Sequence, residues 1–150
     1  SGIIRAEIWT RLLRCVRQIL PEGVIVTTKD RDGTAEEYTC DGAHEFTKPL
    51  AVLVNGSSAS ASEVFAAAVK DYGIGTIVGE TTFGKGVVQD VIGLRDGSSV
   101  KITTAEYFPP SGESINKKGV KPDVEIEFEQ DPNDPEADNQ LEKALEIVRQ

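Results

Sequence analysis

Residues 50–54 read Leu-Ala-Val-Leu-Val, apolar at every position, and give way at Asn55-Gly56 to a serine cluster and an alanine-rich segment. A run without a polar break is expected of a strand buried on both faces of a sheet. The next segment is expected to be a helix over Ser60–Tyr72, with Gly73 as its C-cap, and Ile74–Val78 a second short apolar strand. Strand, helix and strand in that order are the signature of a right-handed parallel crossover. Such a unit needs a sheet with helices packed on it. The chain is therefore read as an α/β domain with a mixed sheet.

The flanking segments fit around that unit. Residues 3–20 place Ile4, Ile8, Leu12, Val16 and Ile19 at helical spacing, with arginines elsewhere on the wheel and Pro21 as the stop. Val24–Thr28 and Glu36–Cys40 read as strands around the turn Arg31-Asp32-Gly33. Val87–Leu94 and Ser99–Phe108 read as an antiparallel hairpin with one wet face, and Val124–Phe128 as a half-buried or edge strand. Glu129–Asp138 is an acidic, proline-broken linker, and Leu141, Ala144, Leu145 and Val148 lie on one face of a short C-terminal helix. The division expected is a core over residues 1–128 and a linker with helix over 129–150. Because Ser1-Gly2 opens directly into a helical pattern, the core is read as truncated at its N-terminus.

Composition narrows the function classes. The chain has 150 residues and a formal net charge of -9, which argues against a nucleic-acid partner. No apolar run approaches the length of a membrane-spanning helix. Cys15 and Cys40 show no metal spacing and are read as separate buried or half-buried thiols, with a disulfide between them as the alternative. The single histidine, His44, lies in a polar loop without a neighbour suited to a ligand or base. Any histidine-dependent catalytic scheme would have to use it.

Chemistry concentrates in residues 55–89. Ser60 and Glu63 satisfy the S-x-x-E capping box, so a capping serine explains Ser60 without any catalytic role. The same position serves a nucleophile equally well. A hydroxyl at a helix N-terminus sits at the positive end of the dipole, and the first amides, those of Ser60 and Ala61, are candidates to hold an oxyanion. The missing base is then a lysine, a group that serves once burial lowers its pKa from about 10.4 toward roughly 7–8. Lys85, between Gly84 and Gly86 in a loop free of competing carboxylates and between two apolar strands, is the candidate; the competing reading is an ordinary surface lysine in a turn. Gly79 to Lys85 also matches the first seven positions of a phosphate-binding P-loop. Gly86 stands where Ser or Thr would bind magnesium, however, and the following VVQDVIGL is strand-like, so no helix N-terminus is offered to phosphate.

The stretches VLVNGSSASASE, DYGIGTIVGETTFGKGVVQ, ITTAEYFPPSGESI and KGVKPDVEI, in this order, resemble the carboxyl-terminal processing proteases, the S41 serine peptidases with a Ser-Lys dyad. The resemblance covers most of residues 50–127. It implies a crotonase-like core of the ClpP/enoyl-hydratase type, Ser60 as nucleophile, Lys85 as base and Gln89 as the residue that orients the lysine. It implies peptide or protein substrates cut near their C-termini, no metal or nucleotide, an upstream PDZ domain and an extracytoplasmic location, and it leaves room for a homo-oligomer. Two features depart from the family pattern. Ser1–Glu7 lacks the Gly-Gly loop that supplies an oxyanion donor, and the PDZ domain is not in this stretch. The alternative expectation is thus a non-catalytic, protease-like binding module.

Overall fold

The computed structural model describes residues 2–134 and 136–150, with residues 2–8 described as backbone only. In chain order the elements are α1 (Gly2–Val16), β1 (Glu22–Asp30), β2 (Ala35–Asp41), β3 (Ala51–Val54), α2 (Ala61–Asp71), β4 (Thr76–Gly79), β5 (Val87–Gly93), β6 (Ser99–Phe108), β7 (Val124–Glu125) and α3 (Asn139–Val148). The α/β class stands. The single mixed sheet does not, because the strands separate into two sheets by type.

One sheet, in the order β3-β4-β7, is parallel throughout. The other, in the order β2-β1-β6-β5, is antiparallel throughout. The division has a local cause. The crossover through α2 makes β3 and β4 parallel, whereas the tight turns between β1 and β2 and between β5 and β6 permit only antiparallel return. The 80–86 loop carries the chain from the first sheet to the second.

Helix α2 ends as its sequence dictates. Tyr72 is the C-cap and Gly73 follows at φ 63°, a conformation glycine adopts without a Cβ penalty. The N–H of Gly73 bonds to the Lys70 carbonyl and that of Ile74 to the Val69 carbonyl. The buried face of α2 (Val64, Ala66, Ala67, Ala68, Val69) joins Leu12, Leu13 and Val16 of α1, Ile25 and Val26 of β1, and Ile77 of β4 in one core. The small alanines allow that close approach. Helix α3 packs on β3 and β4. Ile4 and Ile8 of the α1 pattern fall outside the described side chains.

The burial expected of β3 is corrected. Leu53 is 41% exposed although its strand is apolar throughout, because β3 is an edge strand. In β6, Val100 and Ile102 are exposed, whereas Tyr107, on the opposite face of the strand, is 2% exposed. The outer part of the β5–β6 hairpin reaches beyond the core, and only its inner end is covered. Cys15 is exposed, Cys40 is buried and both are free thiols, while His44 is exposed.

Asp123 ties β7 to the parallel sheet. Its carboxylate accepts from the Ile77 amide at 2.9 Å and pairs with Lys70 Nζ at 2.8 Å. Burial works to raise the Asp123 carboxyl, but the hydrogen bonds from Lys70 and Ile77 and the lysine charge outweigh it and hold the group below the usual range. A lowered folded-state pKa contributes stability that is present above the unfolded value, about 3.9, and is lost as pH falls through the folded one. Asp123→Asn is therefore expected to cost about 1 kcal/mol at neutral pH, since the pair is partly solvated. The difference from the parent should shrink in urea titrations as the pH is taken below the unfolded carboxyl's value and through the lower folded one.

Candidate active site

Ser60 stands where β3 has ended and α2 begins, at φ 57° and ψ -111°. A non-glycine residue held at positive φ costs on the order of 1–3 kcal/mol, and such strain persists only where the surroundings enforce it. Ser60 and Glu63 form the capping box that their spacing predicts, with the Glu63 carboxylate reaching back to the Ser60 N–H. A cap by itself, however, does not call for a serine at positive φ.

Glu63 is fully buried, and its carboxylate accepts four hydrogen bonds. Oε2 takes the backbone N–H of Ser60 at 2.9 Å and that of Lys85 at 2.8 Å. Oε1 takes Thr82 Oγ1 at 2.5 Å and the N–H of Gly84 at 2.7 Å. One oxygen thus joins the serine to the lysine through their main chains. The 80–86 loop has no buried carboxylate of its own, and one enters from α2.

The rest of the loop is fixed as tightly. The Phe83 N–H donates to the Ser58 carbonyl at 2.9 Å, the Lys117 N–H to the Gly84 carbonyl at 2.8 Å, and the Val120 N–H to Thr82 Oγ1 at 2.7 Å. Both glycines beside Lys85 are required by close approach. A Cβ on Gly84, which sits at φ 86°, would lie 3.0 Å from the Gly119 and Lys118 nitrogens, and one on Gly86 would lie 2.6 Å from the Asn116 nitrogen. The Tyr107 phenol donates to the Lys85 carbonyl. Burial pushes that phenol up to about 12, against a hydrogen-bonding contribution from the Ser60 side chain and with the Glu63 charge raising it further.

The sequence-predicted residues fall into this frame unevenly. Ser60 and Lys85 are brought together through Glu63 and Tyr107, but among the described residues no hydrogen bond joins their side chains. Gln89 lies on β5 and its Nε2 donates to Thr103 Oγ1 at 3.3 Å, across the strand pair. A register shift in the β5–β6 pairing falls between Val88 and Gln89. The oxyanion assignment needs a correction. The Ser60 amide is taken by Glu63 and is not available, whereas among the described residues the Ala61 amide has no acceptor. The P-loop alternative ends here too, since β5 and not a helix follows Gly86.

The sequence profile of peptidase family S41 matches residues 9–126. The chain belongs to that family. A C-terminal processing peptidase, chloroplastic, from Tetradesmus obliquus is 47% identical over 121 residues, covering 80% of this chain and 26% of the relative. A carboxyl-terminal-processing protease from Synechocystis sp. is 42% identical over 127 residues, covering 85% of this chain and 27% of the relative. Among solved structures, a photosystem II D1 C-terminal processing protease superposes with a TM-score of 0.72 at 41% identity, over 93% of this chain and 35% of that one. The chain thus spans roughly a quarter to a third of the length of these S41 relatives.

Within this S41 domain, sequence reasoning missed the structural weight of Glu63, Thr82 and Tyr107. Glu63 had a signal: with Ala66, Ala67 and Val64 it falls on the apolar stripe of α2, where a charge needs partners. Tyr107 had none, because the alternation of β6 does not say which of its faces meets the core. Replacing the Glu63 carboxylate leaves buried donors without acceptors, at a cost of roughly 3 kcal/mol. Glu63→Gln should lower the urea midpoint accordingly, and amide exchange at Gly84 and Lys85 should quicken before that of β4.

Proposed function

We propose that this domain is the catalytic core of a serine endopeptidase that cuts proteins near their C-termini. Ser60 attacks the scissile carbonyl and Lys85 accepts the serine proton. The protonated lysine then gives a proton to the leaving amine, and water hydrolyses the acyl-enzyme. The Ala61 amide is the oxyanion donor that remains on α2. Gln89 orients Lys85, and the bulge next to it is the kind of irregularity that re-aims a side chain beside an active site.

The observation that carries this reading is the state of Ser60: a strained backbone, and an amide that shares one carboxylate oxygen with the amide of Lys85. A serine serving only as a helix cap needs neither the positive φ nor the link to the lysine loop. Membership of family S41 and the names of the relatives support the same chemistry. We further read the fold as crotonase-like, on the strength of the β3-α2-β4 crossover, and place the parent protein outside the cytoplasm with a PDZ domain presenting the substrate. Among the described residues, no helix is long and apolar enough to cross a membrane.

A second reading, a protease-like binding module, is favoured by the missing side-chain contact between Ser60 and Lys85 among the described residues and by the Gln89 amide resting on Thr103. A fluorophosphonate probe and a C-terminal peptide substrate separate the two. The protease reading expects a single adduct on Ser60, its loss in Ser60→Ala, and at least a thousandfold or so lower turnover in Lys85→Ala. Peptide binding without adduct or cleavage would establish the binding module instead.

A further inference from the structure

We propose that Tyr107 is a positioning residue for the Ser60–Lys85 pair, its phenol linking the main chain of the lysine loop to the serine hydroxyl. The proposal rests on the assignment of that pair made above. Tyr107 lies near the end of β6, which runs between β1 and β5 in the antiparallel sheet. It pairs with Thr28 of β1, and its N–H donates to the Gly86 carbonyl at 3.0 Å. Its ring is 2% exposed and lies 6.3 Å from the Trp9 ring, so little room is left for the ring to swing.

The hydrogen-bond directions follow from the donors available. A phenol has one proton, and Tyr107 gives it to the Lys85 carbonyl. Toward Ser60 the phenol then offers only lone pairs, so the Ser60 hydroxyl is the donor in that contact. With its pKa raised to about 12, the phenol keeps its proton at any working pH and acts as neither base nor nucleophile. The result is a relay of fixed direction from Ser60 Oγ through Tyr107 Oη to the Lys85 carbonyl. The Lys85 amide is held by Glu63 and its carbonyl by Tyr107, so the peptide groups on both sides of the residue are clamped. Only the lysine side-chain torsions remain free. Tyr107 also gives the serine hydroxyl a defined resting place, which it leaves when its proton passes to Lys85.

Saturation kinetics of fluorophosphonate labelling test this on the parent protein, Tyr107→Phe and Ser60→Ala. A positioning role predicts that Tyr107→Phe lowers the maximal labelling rate about tenfold or more, with the half-saturating probe concentration within about twofold of the parent. A variant that loses thermal stability but labels at the parent's maximal rate overturns the proposal, as does one whose loss lies wholly in half-saturation. Absent labelling of the parent, or undiminished labelling of Ser60→Ala, sinks the assignment of Ser60 itself, and that outcome is read without Tyr107→Phe. If Tyr107→Phe does not fold, a crystal structure of the parent decides. Tyr107 Oη within hydrogen-bond reach of both the Lys85 carbonyl and Ser60 Oγ supports the role, and a separation from Ser60 beyond about 4 Å overturns it.

Discussion

The carboxylate of Glu63 is the contact on which the arrangement depends. It is buried without a cation beside it among its four described partners, and it is compensated by three backbone N–H groups and one hydroxyl. Desolvating a carboxylate is costly unless its lone pairs are filled, and here each oxygen receives two donors. The donors come from the helix N-terminus and from the loop after β4. Satisfying one buried charge therefore brings two chain segments, far apart in sequence, into a single geometry. The strained Ser60 backbone is tolerated because its amide is part of that set.

Around this contact the domain is a seam between two sheets. The parallel sheet supplies the strand end from which Ser60 emerges, and the antiparallel sheet supplies Tyr107 and Gln89. Lys85 sits on the loop that crosses from one to the other. Gly84 and Gly86 let the 116–119 segment press against that loop, where any Cβ would collide with backbone. A serine and a lysine on one sheet would need only local geometry; on a seam, their separation depends on how both sheets pack on α2.

Much of this was legible from residue order. The β3-α2-β4 crossover, the β5–β6 hairpin, the Gly73 helix end and the candidate pair Ser60 and Lys85 all rest on local patterns. What escaped notice rests on long-range pairing. Glu63 read as a cap because its partners at Thr82, Gly84 and Lys85 are remote in sequence. Tyr107 carried no mark because period-two alternation identifies the two faces of a strand without saying which one meets the core. The exposure of Val100 and Ile102 and the burial of Tyr107 follow from how far the hairpin reaches past α1 and α2, a distance set by packing.

The sequence by itself determined the elements, their parallel or antiparallel connection, and the membership in peptidase family S41, because periodicity, turn chemistry and ordered motifs are local properties of a chain. Tertiary structure alone decided the separation into two sheets, the removal of the Ser60 amide from the oxyanion set, the resting place of the Gln89 side chain and the clamp around Lys85. Each of those depends on which donor reaches a buried acceptor first, and in a close-packed interior that is settled by distance in space rather than by distance along the chain.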